Sequence, residues 1–96
     1  MARTAIGTTI AAAEATEFTV TGPFYLFADG FEYHDGMAFV QRRNNADTGY
    51  VDATNDHGPM VVGYAPNVAY FDLPAGTYRI NKQKTANATS IAFEEK

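Results

Sequence analysis

The sequence has no cysteine, no tryptophan, one serine and four prolines in 96 residues. Without cysteine there is neither a disulfide framework nor a thiolate metal site. A chain without thiols suits either redox compartment. The one serine, Ser90, sits within an apolar–polar alternation and outside any nucleophile elbow. A Ser/His/Asp triad is therefore not formed. Basic residues are scarce: seven Lys+Arg against eleven Asp+Glu give a formal net charge of −4. Nucleic acid and anionic membrane surfaces both need concentrated positive charge, so neither is expected as a partner. No apolar run approaches the ~18 residues of a membrane-spanning helix. The N-terminal run is broken by Thr4, Gly7, Thr8 and Thr9, where a secretion signal would be leucine-rich. A soluble protein used without export is expected. There is no glycine-rich phosphate loop.

Hydrophobic residues make up 46% and charged residues 19%, a globular composition with room for one domain. Residues 1–16 stand apart, with Ala, Thr and Gly and no aromatic side chain. Such a segment buries too little apolar area to order itself. It reads as an N-terminal arm, frayed or ordered on a neighbouring subunit, with Ile6 and Ile10 as its sizeable apolar contacts.

Residues 17–96 read as the folded domain. Phe18 and Val20 alternate with Thr19 and Thr21, the period of a strand. Further short strands are predicted at Phe24–Ala28, Met37–Gln41, Tyr50–Ala53, Met60–Tyr64, Val68–Leu73, Thr77–Lys82 and Ser90–Glu94, separated by Gly, Pro, Asn and Asp. Seven or eight strands at this spacing, with no helical period after residue 16, predict an all-β antiparallel β-sandwich.

A sandwich strand shows one face to the core and one to water. Phe24–Ala28 violates that rule. If Phe24 and Leu26 point inward, Tyr25 and Phe27 point outward, with Phe31 and Tyr33 close behind; Val68–Phe71 poses the same problem. Each such side chain left exposed forfeits about 1.5–3 kcal/mol relative to burial. A loop or the arm could cover the patch, another copy of the chain could, or it could be a ligand site. The interface preference for Tyr and Phe favours another copy.

Candidate chemistry is thin. His34 and His57 each have a carboxylate neighbour in sequence, but each sits in a turn, where a solvated histidine is the simpler reading. Asp47, Asp52 and Asp56 lie near Asn44, Asn45 and Asn55, an oxygen-rich stretch. Its spacing matches no calcium loop, and turn formation accounts for the composition. A paired-carboxylate glycosidase would need a cleft that the spacing does not support. Arg42-Arg43 reads as a solvated strand end or as a contact to an acidic partner surface; Lys82-Gln83-Lys84 reads the same way. Asn87-Ala88-Thr89 matches a glycosylation sequon without consequence in a protein that is not exported. No catalytic residue, metal or cofactor is expected.

Leu73-Pro74-Ala75-Gly76-Thr77-Tyr78-Arg79-Ile80 resembles the corner leading into the sixth strand of fibronectin-type and immunoglobulin-like sandwiches. There a tyrosine hydroxyl returns to the backbone just upstream while its ring fills the core. The resemblance implies an immunoglobulin-like or related fold, with Leu73, Gly76 and Tyr78 as a structural corner. The stretch from Val68 to Phe93 is similar to the C-terminal part of small virion proteins of tailed bacteriophages. That resemblance implies a non-enzymatic role in a virus particle assembled in the host cytoplasm. The expected function is a capsid decoration or cement subunit that oligomerises and bridges capsomers, so its partners are itself and a major capsid protein. Interface residues would be Ile6, Ile10, Tyr25, Phe27, Phe31, Tyr33, Arg42 and Arg43. The alternative is a carbohydrate- or ligand-binding module using Tyr25, Tyr33 and Tyr50 as a platform. A third reading is a tail or head–tail junction component.

Overall fold

The computed structural model describes residues 3–11 and 14–96. In chain order the strands are β1 (Thr4–Ile10), β2 (Glu14–Val20), β3 (Phe24–Asp29), β4 (Ala38–Arg43), β5 (Tyr50–Asp52), β6 (Thr54–Asn55), β7 (Gly58–Pro59), β8 (Val61–Val62), β9 (Val68–Phe71), β10 (Gly76–Lys82) and β11 (Thr89–Glu95). All pairings are antiparallel. The first sheet runs β1-β11-β3-β9 and the second β2-β10-β4-β5, with β8 also on β4 and a small β6–β7 hairpin apart.

β5 and β8 occupy one position. β5 pairs with Gln41–Arg43 and β8 with Ala38–Phe39, both on the side of β4 away from β10. Val40 N donates to Met60 O and Ala53 N to Val40 O, each at 2.9 Å, which joins the two halves. The β6–β7 hairpin bulges out between them. Counted so, nine of the eleven elements fill eight strand positions, ordered 1-8-3-6 and 2-7-4-5, and the β6–β7 hairpin stands outside them. That is the jelly-roll arrangement. The expected antiparallel sandwich is present, but its strand order is not the immunoglobulin one, which pairs the first two strands in one sheet. Here β1 and β2 fall in opposite sheets.

Period-two alternation builds the core. Phe18 and Val20 of β2, Ala38 and Val40 of β4, and Tyr78 and Ile80 of β10 point inward from the second sheet; Phe24, Leu26 and Ala28 of β3 and Ile91 of β11 meet them from the first. Phe24 is the aromatic junction between the layers. Its ring stands edge-on to Phe18 at 5.4 Å and lies 5.6 Å from Phe71 and 6.0 Å from Tyr78. The expected tyrosine corner is present at the β9–β10 connection: the Tyr78 hydroxyl donates to Pro74 O at 2.7 Å. Leu73 packs against the core just before it, and Gly76 opens β10.

The first residues differ from the expected arm. Thr4–Ile10 form the edge strand of the first sheet and pair with β11 of the same chain, from Thr4 opposite Phe93 to Ile10 opposite Thr89. β2 likewise begins at Glu14, within the stretch read as arm. A ladder satisfies backbone polar groups whatever the side chains are, so a segment of Thr, Ala and Gly needs only an anchor. Ile10, buried in the core, supplies it.

Candidate docking face and loop clefts

The outer faces of the two sheets differ in how much aromatic surface they carry. On the second sheet, register places Glu17, Arg79, Gln41 and Asp52 side by side across four strands. Arg79 Nε donates to Gln41 Oε1 at 2.8 Å, and Gln41 Nε2 donates to Asp52 Oδ1 at 2.8 Å. The Tyr50 hydroxyl donates to Glu17. The Arg79 and Arg43 guanidinium groups lie 4.6 and 4.9 Å from the Tyr50 ring centre. Arg43 also bonds Asp47 at 2.7 Å. The Tyr50 phenol is raised above its ordinary value, first because it bonds the Glu17 carboxylate. The Arg43 guanidinium is raised, first by its bond to Asp47. This part of the face is polar and internally matched, while the next outward row, Ala15–Asn81–Phe39–Val61, is mostly apolar.

On the first sheet the outward rows are Tyr70–Tyr25–Glu94 and Val68–Phe27–Ala92–Ala5. Tyr25 lies 5.0 Å from Tyr70 and 6.5 Å from Phe27. Tyr25 and Phe27 are half-buried, while Val68 and Tyr70 remain 49% and 42% exposed. The chain shields this stripe in part with its own cations. The Arg3 guanidinium sits 3.8 Å above the Phe27 ring and 3.8 Å from the Glu94 carboxylate, and the Lys96 ammonium is 5.6 Å from the Tyr70 ring. Cation–π contacts of this kind leave most of the ring faces wettable.

The remaining residues expected at an interface scatter. Ile10 and Phe31 are in the core, and Ile6 is packed against it. Gly30 has φ +91°, which breaks the outward alternation of β3 and turns Phe31 inward. Arg42 is exposed at a strand end, and Arg43 belongs to the polar face of the second sheet. Tyr33 stands in the β3–β4 loop, 70% exposed, with Tyr64 of the β8–β9 loop 5.6 Å away and 53% exposed. A platform of Tyr25, Tyr33 and Tyr50 is not formed: the three rings lie on the first sheet, in a loop and on the second sheet.

Candidate catalytic groups do not converge. His34 packs on Tyr33 with φ +67°, and His57 lies in the β6–β7 turn. Asp47 and Asp52 are held by Arg43 and Gln41. Among the described residues no group of three or more His, Cys, Asp or Glu could hold a metal ion. Lys82, read as part of a solvated run, is instead 3% exposed. Its ammonium donates to Thr85 Oγ1 and Gln83 O and lies 5.7 Å from the Phe31 ring. Burial lowers its pKa, against the pull of Asp35 and Glu14. Sequence reasoning missed Tyr64 as well. It looked like the end of a strand, and the signal for a loop was Gly63 before it and Ala65-Pro66 after it.

The fold thus defines an all-β jelly-roll sandwich with an aromatic stripe on the outer face of its first sheet. No protein-family model, curated protein or solved structure matches the chain.

Proposed function

We propose that the chain is a non-enzymatic structural subunit of a virus particle, a decoration or cement subunit that associates through the outer face of its first sheet. The observation that carries this reading is the stacked aromatic stripe of Val68, Tyr70, Tyr25 and Phe27 on one face, set against the hydrogen-bonded Glu17–Arg79–Gln41–Asp52 row on the other, where Phe39 and Val61 form a smaller apolar row. The occupant is a second copy of the chain. The stripe carries Arg3 and Lys96 against Glu94 and Asp29, so its own charges balance within a chain of net charge −4. Like-charged molecules approach most easily where their surface is locally neutral. A symmetric contact of this kind also sets aromatic rows against each other, the composition favoured at interface centres. Jelly rolls occur in viral capsid proteins, which agrees with the reading but does not carry it.

Bridging of capsomers, with a major capsid protein as the second partner and the virion as location, belongs to the same proposal. Residues 4–10 do not serve as the expected arm onto a neighbouring subunit, because they pair within their own sheet. Light scattering over a concentration series tests the association. A mass that rises to a multiple of the monomer, and falls back in Tyr25→Ser/Tyr70→Ser, is expected. A monomer at all concentrations up to about 1 mM, a free-energy gain of only ~4 kcal/mol, refutes it. Shells prepared with and without the protein test the cement role through their temperature of rupture; equal temperatures refute that part.

A further inference from the structure

The end of the sandwich bearing the β3–β4 and β8–β9 loops has two clefts that share Tyr64 as a common wall. One, about 380 Å³, is lined by Asp29, Phe31, Gly63, Tyr64 and Asn67 among others. The other, about 180 Å³, lies between Tyr64 and Tyr33, with His34 and Asp35 beside them. The first falls within the size range of small-ligand sites.

Both loops are braced. Gly63 N donates to Pro66 O and Ala28 N to Asn67 O, each at 2.8 Å, which fixes the turn carrying Tyr64. Asp35 accepts from Glu32 N at 3.2 Å and Ala86 N at 3.3 Å, and its own N–H donates to Glu32 O at 3.0 Å, which fixes the turn carrying Tyr33. The backbone carrying both exposed rings is therefore held in place. Loops built to stay put cost a ligand little ordering entropy. Asp29 and Asn67, both exposed, line the larger cleft.

We propose that these clefts bind a neutral oligosaccharide. A pyranose ring has an apolar C–H face and a rim of hydroxyls. The first suits the Tyr64 and Tyr33 rings, and the second suits the Asp29 carboxylate and the Asn67 carboxamide. Two clefts on either side of one ring suit neighbouring units of a chain. Anionic sugars are disfavoured because Asp29 and Asp35 line the clefts and neither cleft is lined by Lys or Arg. The clefts adjoin the association face and share Asp29 with it, while Tyr33, Tyr64 and Gly63 lie in loops outside the stripe.

The test is amide NMR titration of the intact protein with cellotetraose, chitotetraose and maltotetraose, with sialyllactose as the acidic control. At least one neutral sugar is expected to give saturable shifts at Gly30, Phe31, Gly63 and Asn67 with Kd of about 1 mM or tighter. Tyr64→Ala is expected to weaken it at least about tenfold, while Tyr64→Phe retains it. Asn67→Ala supplies an independent loss should Tyr64→Ala disturb the loop. Tyr25→Ser/Tyr70→Ser should bind like the parent, which separates this site from the association face. No saturable shift with any neutral sugar overturns the proposal. So does tighter binding of sialyllactose, or cleft shifts that follow protein concentration without sugar.

Discussion

Tyr78→Phe isolates one bond of the β9–β10 corner. The ring keeps its place among Phe18 and Phe24, so no cavity opens. What is lost is the hydroxyl's donation to Pro74 O at 2.7 Å. Pro74 is exposed, so water can take over its carbonyl. The net loss is then that of one ordinary hydrogen bond, about 1 kcal/mol. In a domain of this size that lowers Tm by roughly 4–8 °C. The same phenol sets a pH dependence. Burial raises its pKa above the ordinary value. Below the unfolded pKa of about 10 both states hold the proton and stability is unaffected. As pH rises through the folded pKa the unfolded chain has already released it, so stability falls. Phenylalanine has no such loss. Urea unfolding of both proteins from pH 7 to pH 11 should therefore show a gap at pH 7 that narrows above about pH 10. A gap near zero at pH 7 refutes the corner bond, and a constant gap through pH 11 refutes the burial of the phenol.

Two further substitutions probe how the loops are held. A Cβ on Gly36 would meet Gln83 Cβ at 2.6 Å and Lys84 O at 2.7 Å. Gly36→Ala should cost about 1–3 kcal/mol, read by urea unfolding, and unchanged stability would mean that the loops are not in this contact. Lys82 has a lowered pKa, so the folded state holds its charge at a cost that disappears once both states are neutral. Stability should therefore rise with pH from the folded pKa towards the ordinary lysine value of 10.5. Lys82→Met should remove this slope, and a Met variant with the same slope would place the titration elsewhere.

The strands were legible because period two survives in short segments. Phe24, Leu26 and Ala28 turned inward as their spacing predicts, and Tyr78 made its corner bond. The sheet order was not legible, because alternation says which face a residue takes and nothing about which strand lies beside it. That left the jelly-roll order hidden behind a corner motif shared with other sandwiches. β1 was hidden for a different reason. Thr4–Ile10 are held by ladder bonds, and composition does not register backbone pairing. Phe31 and Tyr64 were misplaced by a single backbone event each: the positive φ of Gly30, and the turn after Gly63. Of the candidate docking face, Tyr25, Phe27 and the Val68–Phe71 strand could be foreseen, because a strand with aromatics on both sides has too many apolar groups for one core.

The sheet edges bear on how copies of this chain meet. An open edge strand offers unpaired backbone groups and invites endless strand addition. β1 has register breaks between Ala5 and Gly7 and between Gly7 and Ile10, which spoil a flat ladder. β9 has four residues and β5 three, too short to template a long pairing. β2 is seven residues long and regular, but its exposed positions include Glu14 and Glu17, and like charges oppose a second copy there. With the edges blunted in this way, association by side chains falls to a face. The second sheet's face would have to break Arg79–Gln41–Asp52 and Tyr50–Glu17 contacts to accept a partner. The first sheet's face would have to displace water and the exposed Arg3 and Lys96 side chains from its rings, contacts that are weaker than the hydrogen bonds of the second face. Under the proposed association, that difference in desolvation cost favours Tyr25 and Tyr70.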